Sequence, residues 1–314
     1  FQAYGWQVIG PVDGLDTDSI GEAIKKAQAE NTRPSLIICR TIIGYGSPHK
    51  AGTASAHGEP LGVEEVRLTK ENLGWPYKEP FTVPDEVKTY FASIKERGAS
   101  LQKEWSAKLA GYQRAYPEES KRLAMELAGE LPEGWDSALA DLFKVIDKPM
   151  ATREASGRVM NALAPKIHNL IGGSADLSPS TKTTLTDCGD FGVENCSGRN
   201  FHFGVREHAM GAIANGMALH GGVMPYTGTF LAFYDYMRPP MRLAALSSIR
   251  AIFIFSHDSI GLGEDGPTHQ PVEQIMGLRA VPNMVTLRPA DATETAEAWK
   301  IALTRRHGPT TLIT

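Results

Sequence analysis

Ser35-Leu36-Ile37-Ile38-Cys39, set directly after Pro34, is a continuous apolar stretch, the pattern of a parallel strand covered on both faces. Behind it, Ile20, Ala23, Ile24 and Ala27 keep a helical period, and Asp16-Thr17-Asp18-Ser19 offers capping side chains at the start. Pro34 stops that helix. Further back, Val8-Ile9 reads as the end of a strand. Strand, helix and strand within about 40 residues make a βαβ unit, which implies a parallel sheet.

Ahead of this unit, Pro80 and Pro84 mark a break. Residues 85–131 are rich in Lys, Glu, Ala and Leu, with Phe91, Ile94, Leu101, Trp105, Leu109 and Tyr112 at mostly helical spacing. Amphipathic helices with turns at Gly98 and Pro117 are expected, and a further helical stretch over 137–146. The charges there read as a solvated face, or else as a partner-binding surface. From about residue 148 the pattern alternates. Helices are expected over 153–163, 207–219, 230–246, 272–279 and 292–304, and strands over 168–172, 200–203, 251–255 and 284–287. The fold class is therefore α/β, with doubly wound parallel sheets and a helical connector. The expected domains are 1–77, 78–147 and 148–314. The chain opens on Phe1 and closes on the β-rich run Thr310-Thr311-Leu312-Ile313-Thr314, so it reads as an internal segment of a longer protein.

Composition narrows the function. Of 314 residues, 32 are Lys or Arg and 36 Asp or Glu, a formal net charge of −4 that argues against a broad basic face for nucleic acid or anionic membrane. Apolar residues at 42% and charged residues at 22% suit a globular chain. No apolar run approaches the roughly 18 residues of a membrane helix. Cys39, Cys188 and Cys196 have no metal-ligand or redox spacing, which points to a reducing cytoplasm.

Open parallel sheets bind ligands in the loops after their strands, and four such stretches stand out. Ile43-Gly44-Tyr45-Gly46-Ser47-Pro48 continues to His57-Gly58. Its glycines let backbone N–H groups approach an anion and His57 adds a titratable donor, although a plain glycine-rich connection also fits. Gly172-Gly173-Ser174-Ala175-Asp176-Leu177-Ser178-Pro179-Ser180 suits a polyol or phosphate, or a capped turn in which Asp176 and Ser178 bond their own backbone. Glu207 opens an apolar helix of Ala, Gly, Met and Ile. It is either a buried carboxyl able to hold a proton near neutrality or a charge favoured by the helix dipole. Phe230, Phe233 and Tyr236 lie three apart on one expected helical face, the pattern of core packing or of a ligand-stacking wall. The densest stretch is Ser256-His257-Asp258-Ser259-Ile260-Gly261-Leu262-Gly263-Glu264-Asp265-Gly266-Pro267-Thr268-His269-Gln270-Pro271, read as a functional site. His257, Asp265 and His269 match no closed zinc spacing, and no metal ligands are assigned in this chain.

These motifs together, with Lys50-Ala51-Gly52-Thr53 and Gly204-Val205-Arg206-Glu207-His208-Ala209-Met210, resemble the transketolase family along the whole chain. The resemblance implies a thiamin diphosphate-binding fold: the end of the diphosphate-binding domain to about 77, and the pyrimidine-binding domain from about 148. It implies transfer of a two-carbon ketol unit from a ketose phosphate to an aldose phosphate in a homodimer with active sites at the interface. It implies thiamin diphosphate, with a divalent metal, Mg or Ca, bound outside this segment. Glu207 resembles the glutamate that bonds the aminopyrimidine nitrogen and so promotes proton removal from the thiazolium. Phe233, with Phe230 and Tyr236, resembles the aromatic wall on the pyrimidine, and Asp176 another cofactor contact. His57 and His269 resemble the histidines beside the reacting hydroxyls. Asp265 resembles the residue that reads a substrate hydroxyl. Arg153, Ser180 and His257 resemble a substrate-phosphate cluster.

The family's Gly-Asp-Gly to Asn metal motif, its early histidines, a late arginine and its third domain have no counterpart in these residues. Leu15 stands where His is usual. The segment alone is therefore expected to be inactive. A related enzyme such as dihydroxyacetone synthase, and a non-catalytic dimerising subunit, are the alternatives.

Overall fold

The computed structural model describes residues 1–146 and 148–314. Asp147, the last residue of the expected connector, lies outside the described residues. The chain divides into two compact units, Phe1–Lys103 and Glu104–Thr314.

In the first unit, β1 (Gln7–Asp13) and β2 (Ser35–Arg40) pair in parallel, with α1 (Thr17–Gln28) as the crossover. The Asp16 carboxylate accepts the Asp18 N–H at 3.0 Å and so caps α1. At the turn before it, Leu15 N–H donates to Asp13 Oδ1 at 2.9 Å. Within these 314 residues the expected two-sided burial of the Ser35 run does not occur: β2 is half-buried at its start and exposed from Ile38 on. A two-stranded ribbon carrying one helix has too little to cover both faces. The glycine-rich loop holds the short helix α2 (Ser55–Gly58) and leads to α3 (Val63–Asn72).

The 31-residue helix α4 (Asp85–Ala115) runs unbroken through Gly98, where a turn was expected. One glycine costs about 1 kcal/mol in a helix interior, and the Ala, Lys, Glu and Arg around it are good helix formers. Pro117 does begin a new helix, α5 (Pro117–Leu127), at a position whose N–H needs no partner. The helix expected over 137–146 reduces to one tight turn, Ser137–Leu139. Leu139 instead packs into the second unit's core, joined by Leu142 and Phe143.

That core lies in a six-stranded, wholly parallel sheet. The strands are β3 (Leu170–Ser174), β4 (Asn200–His202), β5 (Met224–Phe230), β6 (Ile252–Ser256), β7 (Val285–Leu287) and β8 (Thr310–Ile313), in the order β4-β3-β5-β6-β8-β7. The helices are α6 (Thr152–Leu163), the single-turn α7 (Ser178–Thr181), α8 (Glu207–His220), α9 (Tyr234–Leu246), α10 (Gln274–Arg279) and α11 (Ala292–Thr304). Alternation along β6 divides the interior: Ile252 and Ile254 join the core that includes Trp299 and Leu163, whereas Phe253 and Phe255 join Met210, Tyr234 and Met241. Two covered faces make the sheet doubly wound, as expected.

Two sequence readings shift here. Met224–Phe230 is a fully buried central strand that was not expected, because Pro225 and Gly228 interrupt its apolar pattern. Phe230 therefore ends a strand instead of opening a helix; a tight turn, Leu231–Phe233, precedes α9. Gly172 and Gly173 are required by close strand approach, since a Cβ would overlap the carbonyls of Tyr226 and Phe201.

Candidate active site

In the second unit, the ends of β3, β4, β5, β6 and β8 form one crest, and β3 and β5 flank the point where the chain's direction across the sheet reverses. Crevices at such points are where open α/β sheets bind ligands. After β3, Asp176 is exposed in the left-handed region at φ 62°. The turn is capped by Ser174, not by Asp176 or Ser178: its hydroxyl accepts the Leu177 N–H at 2.9 Å and bonds the Ser178 hydroxyl at 2.8 Å.

After β4, Glu207 is the first residue of α8 and only 7% exposed. No hydrogen bond reaches its carboxyl among the described residues. It is therefore a buried carboxyl placed in the first turn of a helix, and a carboxyl so buried needs a partner.

After β5 and β6, the aromatic and imidazole rings meet. Phe230 is buried and stacks on His257 with centroids 3.8 Å apart. Phe233 lies nearly parallel to Phe230, at 11° and 6.0 Å. Tyr236, 63% exposed, tilts against Phe233 at 6.0 Å. The stripe is thus a wall rising from the core to the surface, not one face of a helix. His269 closes on it edge-on, 5.1 Å from Phe233, and its Nδ1 lies 2.8 Å from the Thr268 hydroxyl.

His257 is held on both nitrogens. Arg153, the second residue of α6, reaches Nε2 at 3.3 Å, and Ser256 Oγ lies 2.8 Å from Nδ1. A guanidinium can only donate, so Nε2 accepts and the Nδ1 proton points at Ser256. Burial pushes the His257 imidazole below its ordinary pKa, and the neighbouring Arg153 charge pushes the same way; the Asp265 carboxylate opposes both. His257 also sits at φ 59°, a left-handed conformation rare for a residue with a Cβ. The Nε of Arg153 is buried without a partner among the described residues. Arg153, His257, Asp258 and Thr314 line a cavity of about 230 Å³. A guanidinium with an unpaired donor among the residues that line a small cavity suits an anion.

Ser180 lies in α7, and its hydroxyl bonds neither Arg153 nor His257 among the described residues. Asp265 is exposed in the loop after β6. His57 is exposed on α2 in the first unit. No cluster of three or more His, Cys, Asp or Glu arranged to hold a metal occurs among the described residues.

Three pairings escaped the sequence reading. Ser256 orients His257. Arg288 donates to Asp258 Oδ2 at 2.7 Å. Gln274 bonds Asp235 at 3.0 Å. Arg288 directly follows β7, and its place at a strand end was the available signal.

The family model described as the transketolase pyrimidine binding domain matches residues 148–314, and the one described as the transketolase thiamine diphosphate binding domain matches 1–132. The chain belongs to the transketolase family. It is 48% identical over 314 residues to a transketolase of Geobacillus stearothermophilus, covering all of this chain and 47% of that protein. It is 47% identical over 316 residues to transketolase 1 of Escherichia coli K12, again covering all of this chain and 47% of the relative. The transketolase structure from Leishmania mexicana superposes with a TM-score of 0.90 at 42% identity, over 99% of this chain and 46% of that one. A Pichia stipitis transketolase in complex with sedoheptulose-7-phosphate gives 0.92 at 40% identity, over 99% and 47%. The chain thus spans about half the length of the curated relatives it matches. No helix among the described residues is long and apolar enough to cross a membrane.

Proposed function

We propose that the complete polypeptide carrying this sequence transfers a two-carbon ketol unit from a ketose phosphate to an aldose phosphate. The observation that carries this reading is Glu207, buried and unpartnered on the same crest as the Phe230–Phe233–Tyr236 wall. A buried carboxyl needs a partner, and the ring nitrogen of an aminopyrimidine supplies one. A flat ring suits the aromatic wall. These residues fit the pyrimidine half of thiamine diphosphate, in keeping with the matched domains. When bound, that cofactor supplies the nucleophilic carbon for ketol transfer.

The chain's own residues divide the remaining work. Glu207 holds a proton against the ring nitrogen. Asp176 is a further cofactor contact. His269, and His57 from the first unit, donate and accept protons at the sugar hydroxyls. Asp265 reads a hydroxyl and selects stereochemistry. Arg153, His257 and Ser180 take the substrate phosphate, with the unpaired Arg153 Nε as its first donor. Residues to 77 form the end of the diphosphate-binding domain, 78–147 a connector and 148–314 the pyrimidine-binding domain. The divalent metal, Mg or Ca, is bound outside this segment. The active enzyme is a cytoplasmic homodimer of the pentose phosphate pathway with shared sites, and the segment alone is inactive.

The test uses the complete enzyme. Glu207→Gln lowers turnover by roughly 10² or more, the scale of a lost general acid. Arg153→Leu raises KM for phosphorylated donors about 10- to 100-fold and leaves unphosphorylated donors unchanged, the scale of one charged hydrogen bond. Normal turnover in the Glu207 variant would remove the carboxyl from the chemistry. An equal loss on both kinds of donor would remove Arg153 from the phosphate.

A further inference from the structure

The loop from His257 to Pro271 carries His257, Asp265 and His269, yet its own hydrogen bonds are short-range. Gly261 N–H donates to Ser259 Oγ, Leu262 to Ser259 O, Glu264 to Leu262 O, Gly266 to Gly263 O and His269 to Gly266 O. Among the described residues, its polar ties to the rest of the unit lie at its ends. At the start, His257 meets Arg153 and Asp258 pairs with Arg288. Beyond Pro271, Gln274 makes the other tie, and it is 6% exposed. Its amide does two things: Oε1 accepts the Val272 N–H at 2.9 Å, and Nε2 donates to Asp235 Oδ2 at 3.0 Å. The orientation is fixed by chemistry, because a backbone N–H needs an acceptor and a carboxylate needs a donor. Asp235 lies between Phe233 and Tyr236 on α9. One buried amide thus joins the end of the loop to the turn that carries the aromatic wall, where His269 rests edge-on against Phe233.

We propose that Gln274 is a positioning residue, which through Asp235 fixes the register between the His257–Pro271 loop and the Phe233–Tyr236 wall. This rests on the ketol-transfer reading for its kinetic consequence, but not for its structural one. Displacing a reacting group by about 1 Å costs on the order of 10²-fold in rate, so a tie of this kind has leverage without touching substrate. A glutamine does this where a glutamate would not, since a carboxylate at 274 would oppose Asp235.

The experiment is a double-mutant cycle in the complete enzyme, reading kcat, KM and hydrogen exchange of residues 257–271. Gln274→Glu keeps the acceptor for Val272 but sets two carboxylates together. It is expected to lower kcat about 10- to 100-fold with KM changed less, and to speed exchange in the loop. Asp235→Asn added to it lets an amide donate to the new carboxylate and restores both readouts. Asp235→Ala, at an exposed position, removes the acceptor without burying a charge and covers the case in which Gln274→Glu fails to fold; it speeds loop exchange in the same way. Unchanged loop exchange in these single variants, or a double variant no better than Gln274→Glu, would overturn the proposal. So would faster exchange with unaltered kcat, while Glu207→Gln still abolished turnover. Failure of the ketol-transfer reading shows separately, as an active Glu207→Gln enzyme.

Discussion

The two units reach order by different means. In residues 1–103, only Ala23, Gly46 and Ser47 are buried among those described. The glycine-rich loop there is held by polar contacts. Glu65 of α3 takes hydrogen bonds from Ser47 Oγ, His49 N and His49 Nδ1, and Asn72 donates to Gly46 O. In residues 104–314 two apolar clusters cover both faces of a sheet, and the candidate site residues stand at its rim. The difference teaches where each region is vulnerable. The first depends on one ionised carboxylate, and the second on packing and a few ties at the ends of a loop.

Replacing the same residue type in each unit should break the symmetry most visibly. Trp299 is fully buried, and its Nε1–H donates to Ser156 Oγ at 2.9 Å. Trp299→Ala is expected to cost about 3–5 kcal/mol by denaturant unfolding. Trp75, in the first unit, is partly exposed with an edge contact to Tyr77. Trp75→Ala should cost only about 1 kcal/mol. Equal losses would mean that the first unit has a core comparable to the second.

A smaller effect sharpens the polar half of the comparison. Hydrogen bonds from Ser47, then from the His49 backbone, hold the Glu65 carboxyl down from 4.5 to about 2. Its pKa is depressed in the folded state, so its contribution is complete above about pH 4.5 and is lost as pH falls towards 2. Glu65→Gln should flatten the pH dependence of hydrogen exchange at residues 47–50 within that window. An unchanged slope would assign the acid sensitivity elsewhere.

The smallest effect lies at the rim of the second unit. The His257 pKa is depressed, and for a base the sign is opposite. The unfolded chain takes up the proton first, so stability is complete above the ordinary value of 6.5 and falls as pH drops below it. The His257 ring should titrate below 6.5 by NMR. Arg153→Leu should move that midpoint upward, but only part of the way, because burial is the larger cause.

Much of the candidate site's clustering was legible in the sequence. Glycines, carboxylates and histidines clustered after apolar runs mark strand ends, and Phe230, Phe233, His257 and His269 do come together. The partners of Gln274 and Arg288 were not legible. Each bonds a residue 39 or 30 positions away, and nothing local in the sequence names that partner. Met224–Phe230 was missed because buried parallel strands need no alternation, and Pro225 and Gly228 resemble loop text.

The sequence by itself determined the α/β class, the positions of most helices and the candidate loops at the strand ends, because periodicity and turn residues are local properties. Tertiary structure alone decided that β8 lies between β6 and β7 and that Phe230 ends a strand. Those outcomes follow from which surfaces find a neighbour to cover them, and burial is a property of the assembled unit, not of any stretch within it.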